Sequence, residues 1–151
     1  MGLRVQRLRS PEDGQRSFTV VDGRGVPVGP VEEFLAHLTL VQGRSPNTVQ
    51  GYAHDLRDFF EWLDQQGLEF RSVRLEQLAL FFAWLRRPAA ARRRNVFVLP
   101  GAPAALASAT LLRKRAAVAG FYRFHSRRDA AVAPVLGELV GPRPTGSFVP
   151  M

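Results

Sequence analysis

The 151-residue chain has no cysteine, which excludes disulfides, thiolate metal sites and a cysteine nucleophile. No apolar run approaches the ~20 residues a membrane-spanning helix needs. The first ten residues are Arg-spaced and have no apolar h-region, so a secretory signal is not expected. Three histidines, His37, His54 and His125, fall on three separate predicted helices, and none has a His/Asp/Glu partner at metal-ligand spacing. No glycine-rich phosphate loop is present: Gly23-Arg24-Gly25 lacks a third glycine and opens no helix directly. Ser45, Ser108 and Thr110 lack an oriented base and read as helix caps, not nucleophiles. These absences leave a soluble, cytoplasmic domain with no expected catalytic residue, metal or cofactor. The length suits one domain, or a small domain with tails.

What is present is positive charge, unevenly placed. Lysine and arginine total 21 against 13 acids, a net of +8, and Lys114 is the one lysine. Residues 1–30 carry +2, 31–70 carry −5, 71–128 carry +12 and 129–151 carry −1. Nearly all the excess sits in one stretch, the footprint of a polyanionic partner, although an arginine-rich coding bias gives a similar total.

Hydrophobic spacing divides the chain into a leader (1–29), a helical domain (30–128) and a linker or tail (129–151). Residues 1–17 read as a polar, partly disordered lead. Phe18–Val21, the Asp22-Gly23 turn and Val26-Pro27-Val28 read as two short strands, with Pro27 confining the second to an edge. A first helix follows Pro30, carries Val31, Phe34, Leu35, Leu38 and Val41 inward, and stops at Gly43. The second is the best specified. Ser45 is its N-cap, Pro46 its first residue and Gly67 its stop; Val49, Tyr52, Ala53, Leu56, Phe59, Phe60 and Leu63 form a stripe. Asp55, Arg57, Asp58, Glu61 and Asp64 are assigned to its solvated outer face. The third buries Val73, Leu75, Leu78, Ala79, Phe82 and Leu85 and ends before Pro88. Residues 88–107, with Arg92-Arg93-Arg94 and a short apolar run at 96–99, read as a long loop. Ser108 caps a fourth helix over 109–126 with Leu111, Val118, Phe121, Tyr122 and His125 inward. One helical turn is expected near Val135–Val140. The fold class is all-α, a bundle of four to five helices with a short N-terminal β-hairpin.

Two helix starts have similar chemistry. Arg44-Ser45-Pro46-Asn47-Thr48 and Ser108 to Lys114 each combine cations, hydroxyls and exposed backbone N–H groups, the donors that phosphate oxygens accept from. Solvated arginines on two ordinary N-caps account for the same pattern; spacing alone does not separate the readings.

Three strings, "SPNTVQGYAHDLRDFFEWL" at 45–63, "LEFRSVRLEQLALFFAWLRRP" at 68–88 and "SATLLRKRAAVAGFYRFH" at 108–125, resemble the core-binding, SAM-like N-terminal domain of tyrosine recombinases of the phage-integrase family. The preceding "SFTVVDGRGVPVGPVEEFLAHL" at 17–38 resembles the leader of mobile-element members. The resemblance implies one jaw of a clamp on double-stranded DNA, with the second and fourth helices at the major groove. It implies DNA contacts from Arg44, Ser45, Asn47, Thr48 and Tyr52 on one helix, and from Ser108, Thr110, Arg113, Lys114 and Arg115 on the other. Leu112 stands where the family usually has a polar residue, and Arg115 where it usually has an apolar one. The implied function is to hold DNA for recombination and integration, with cleavage left to a separate catalytic domain that this chain is expected to lack. His54-Asp55-Leu56-Arg57 matches a catalytic H-x-x-R box only superficially, because it lies inside the second helix. Implied partners are duplex DNA, a catalytic domain and other recombinase protomers, with no membrane. The alternatives are a stand-alone DNA-binding regulator and a helical protein-interaction module.

Overall fold

The computed structural model describes residues 2–87 and 108–140. The expected loop at 88–107 and the tail beyond 140 lie outside the described residues. The order is β1 (Arg4–Arg9), β2 (Arg16–Val21), α1 (Gly29–Leu40), α2 (Pro46–Gln66), a 3-10 turn (Phe70–Ser72), α3 (Leu75–Leu85), α4 (Ser108–Ser126) and α5 (Ala133–Val140). Five helices and a two-stranded antiparallel sheet among the described residues match the expected class.

The hairpin uses a different partner strand. β2 pairs with β1, from Arg4 opposite Val21 to Arg9 opposite Arg16. Pro27 makes only an isolated bridge to Val21, and the Val28 amide donates to the Val20 carbonyl at 2.9 Å. Proline has no N–H with which to continue a ladder. The segment read as a polar lead is therefore a strand. Its apolar residues, Val5 and Leu8, are three apart, so period-2 alternation does not reveal it. Phe18, Val20 and Val21 of β2 are buried, and β2 packs on α2.

α1 buries Val31, Phe34, Leu35 and Leu38. Val41, expected inward, is 72% exposed because the helix ends at Leu40. The chain then turns through Gly43 at φ 62°, and the Arg44 amide donates to the Leu38 carbonyl. α2 follows its sequence signals. The Ser45 hydroxyl accepts from the Thr48 amide at 3.2 Å, Pro46 opens the helix, and Gly67 closes it at φ 65°.

α3 is rotated from the expected face. Leu78, Phe81 and Leu85 are buried, Leu75 and Ala79 are exposed, and Phe82 is half-buried. Its sequence is apolar almost throughout, so polar contrast gave no inward direction. Packing decides it: the Phe81 ring lies 5.1 Å from Phe59 and 5.4 Å from Trp62. Trp62, which is not among the stripe residues predicted for α2, is 2% exposed.

α4 buries Val118, Phe121, Tyr122 and His125 as expected, together with Lys114, Ala117 and Phe124. Tyr122 donates to the Phe70 carbonyl at 2.7 Å, and burial pushes its phenol pKa up. The His125 ring sits among Phe70, Phe121 and Phe124, and burial lowers its pKa. As the neutral tautomer its Nε2–H donates to the Pro30 carbonyl at 2.8 Å. This contact ties the end of α4 to the start of α1. The segment after 128, expected as linker or tail, continues the bundle: Arg71 pairs with Asp129 at 2.6 Å, and Val132 and Val135 enter the core. α5 packs against α4 and α3.

Candidate functional site

Two adjoining recesses run along α4 as a groove, the first between it and the first half of α2, the second between it and the end of α1 with the turn that follows. Asn47, Thr48, Gly51, Tyr52 and the buried Asp55 from α2 and Arg113, Ala116 and Ala117 from α4 line a recess of about 340 Å³. Asn47 and Arg113, from the two helix starts singled out by sequence, are therefore on one side of the molecule. A second recess, sharing Tyr52, is lined by Phe34, His37 and Leu38 of α1, Gln42 and Arg44 of the turn after it, and Gly120, Arg123, Phe124 and Arg127 of α4. Tyr52 stands at the junction of the two, half-buried, its ring edge-on to Phe34 at 5.7 Å.

α4 contributes one continuous face. Arg113, Ala116, Gly120, Arg123 and Arg127 are spaced by three or four residues, the spacing that aligns side chains along a helix. Arginines stand at both ends and small residues in the middle. Glycine inside a helix costs roughly 0.5–1 kcal/mol relative to alanine. Core packing does not require it here. A Cβ on Gly51 would meet nothing within 4 Å, and one on Gly120 would meet only Phe34 Cζ at an ordinary 3.7 Å. The two glycines leave the groove walls low.

An ion cluster joins the helices beside the first recess. Asp55, assigned by spacing to the solvated face of α2, is 2% exposed. Its Oδ1 accepts from Lys114 Nζ at 3.0 Å and from the Arg113 guanidinium at 2.9 Å. Lys114 Nζ also donates to Asp58 Oδ2 at 2.7 Å, and Arg57 pairs with Asp58 Oδ1 at 3.1 Å. Lys114 is 6% exposed, whereas the Arg113 side chain is 59% exposed. The carboxylates that looked solvated thus bind α2 to α4. Burial lowers the pKa of neighbouring His54, and the Arg57 charge adds to that.

The other residues singled out by sequence are distributed as follows. Arg44 reaches Gln42 Oε1 at 3.1 Å through Nε. The Ser45 hydroxyl is committed to its cap and to Thr48 Oγ1. Ser108 and Arg115 line a separate recess with Phe82, Arg86, Leu111 and Leu112. The Arg115 guanidinium is 6.0 Å from the Phe82 ring. Thr110 is half-buried and lines neither groove recess, and Leu112 is 65% exposed. The structure thus gathers Arg44, Asn47, Thr48, Tyr52 and Arg113 along one groove, turns Lys114 inward and sets Ser108 and Arg115 apart.

Residues 31–129 match the family described as phage integrase, N-terminal SAM-like domain. The chain belongs to this family. Transposase A from transposon Tn554 of Staphylococcus aureus, in strains Mu50 and N315, is 31% identical to it over 88 residues. The alignment covers 58% of this chain and 24% of each transposase, so the chain spans about a quarter of the length of the curated relatives it matches. No solved structure matches. The chain is thus a recombinase-family module of the integrase N-terminal type. In this integrase-family domain, the groove residues that sequence reading passed over are Gly51, Ala116, Gly120, Arg123 and Arg127. The three-four spacing that leads from Arg113 to Arg127 is the signal in the sequence that connects them. No helix among the described residues is long and apolar enough to cross a membrane.

Proposed function

We propose that this domain holds duplex DNA along the groove that α4 forms with α2 and the end of α1, as the non-catalytic DNA-gripping part of a site-specific recombinase. The observation that carries the reading is the convergence of Asn47, Thr48 and Tyr52 with Arg113 in one recess, continued by Arg44, Arg123 and Arg127 in the next. Arginine forks and amide or hydroxyl donors are the groups that phosphate oxygens accept from, and asparagine and arginine also read base edges. The low middle, at Gly51 and Gly120, gives a rigid backbone ridge room to approach. Strand cleavage falls to a catalytic domain, and other protomers assemble on the same DNA. Ser108, Thr110 and Arg115 join the interface only at its margin, and Lys114 serves it from inside by fixing Asp55, the carboxylate that Arg113 also contacts.

The test is the salt dependence of binding to a random-sequence duplex. With Arg44, Arg123 and Arg127 each neutralising one phosphate and Arg113 up to one more, log K falls against log salt with a slope of roughly −3 to −4. Affinity that does not change with salt contradicts the reading. A second reading, a protein-docking module, is favoured by the outer face of α3, where Leu75 is 55% and Leu80 62% exposed. It predicts indifference to DNA in the same assay.

A further inference from the structure

The proposed DNA groove has a buried carboxylate in its lining, and we infer that Asp55 is a specificity-determining residue, an internal anion that competes with DNA phosphate for Arg113. The inference rests on the DNA-holding reading above. Arg113 is the most exposed member of the ion cluster, yet its guanidinium already has an oxyanion partner 2.9 Å away, on a carboxylate that is itself 2% exposed. Lys114 does not cancel that carboxylate alone, because it is shared between Asp55 and Asp58. Two acids against three bases, Arg113, Lys114 and Arg57, leave this end of the groove with a single net positive charge at a distance. The other end, with Arg44, Arg123 and Arg127, has no acid among its lining residues. The groove is therefore polarised. Long-range attraction of DNA comes mainly from the Arg123 end. Arg113 acts as a cation only for a phosphate at contact distance, where it exchanges or shares its carboxylate partner. A loosely placed polyanion gains little from Arg113, whereas a seated duplex gains a charge-assisted hydrogen bond.

Asp55→Asn isolates this effect, because the amide oxygen still accepts from Arg113 and Lys114 while the negative charge is gone. The full chain, Asp55→Asn, Arg113→Ala and the double variant are compared for binding to a random-sequence duplex over a range of salt. The expected result is that Asp55→Asn binds about 2- to 5-fold tighter, the scale of a half-exposed ion pair. Its salt slope steepens by up to about 0.9, one further phosphate neutralised. Both gains vanish when Arg113 is also alanine. Equal or weaker binding by a folded Asp55→Asn, or a gain that persists without Arg113, overturns the inference and leaves the DNA groove standing. If Arg113→Ala binds as the unaltered chain does, the groove reading itself fails at this end. Should Asp55→Asn not fold, the unaltered chain decides: on adding duplex, the Asp55 carboxyl carbon resonance moves if Arg113 changes partner, and an unmoved resonance in the bound state overturns the inference.

Discussion

Lys114→Met is expected to destabilise the domain by about 3–4 kcal/mol, read by urea denaturation. Methionine keeps the length of the stem, so packing changes little; the loss is the charge. It leaves Asp55, 2% exposed, with Arg113 alone, and Asp58 with Arg57. Breaking a buried pair from one side costs ~3–5 kcal/mol, because the remaining ion stays desolvated without its partner. The lower part of that range applies here because each carboxylate keeps one arginine. Replacing both members, Asp55→Leu with Lys114→Met, restores most of the loss, since a well-packed apolar pair of similar volume is often no less stable than a buried ion pair. Arg113→Met costs less than about 1 kcal/mol, because its side chain is 59% exposed and the pair is screened. A Lys114→Met variant within about 1 kcal/mol of the unaltered chain contradicts the assignment of Lys114 as the buried tie between α2 and α4.

The second large effect is on DNA. Arg113→Ala and Arg123→Ala are expected to weaken duplex binding by roughly 5- to 30-fold each, about 1–2 kcal/mol. That is below the 1.5–3 kcal/mol of a hydrogen bond to a charged group because both sites are solvated. The two lie ten residues apart on one face of α4, at opposite ends of the groove, so their effects should nearly add. Loss of Arg123 removes about 0.9 from the salt slope and loss of Arg113 less, because Asp55 already holds part of its charge; the weakening is similar for every sequence if the contacts are to phosphate. Arg24→Ala is the control: Arg24 is exposed in the turn between β2 and α1 and lines neither recess. Equal losses from Arg24→Ala and Arg123→Ala mean that net charge, and not the groove, governs binding.

Particular residues show why some of this was legible in the sequence and some was not. α2 was legible because its signals are local: Ser45 caps it, Pro46 opens it, Gly67 closes it, and polar residues separate its apolar positions. The face of α3 was not, because a helix of Leu, Phe, Ala and Trp offers little polar contrast, and its rotation follows from where Phe59 and Trp62 receive Phe81. β1 was missed because its pairing partner and the core beneath it supply what its own alternation does not. Asp55 was misplaced for a similar reason. A carboxylate three residues from another and six from Glu61 reads as a solvated stripe, and its partner Lys114 lies 59 positions later with no local sign of the link. The same separation hid the role of Lys114, which looked like one more cation at a helix start. Asn47 and Arg113 were found because helix starts advertise their donors in a few consecutive residues, whereas Arg123 and Arg127 needed the helical period to be followed along α4.

The most direct test of the groove is backbone amide mapping of the ¹⁵N-labelled chain as a random-sequence duplex is added. The account predicts the largest shifts at Gly51, Tyr52, Ala116, Gly120 and Arg123, with the outer face of α3 at Ala79, Leu80 and Ala83 unmoved. Shifts centred on α3 or on the β1–β2 hairpin, with Gly51 and Gly120 silent, would contradict it.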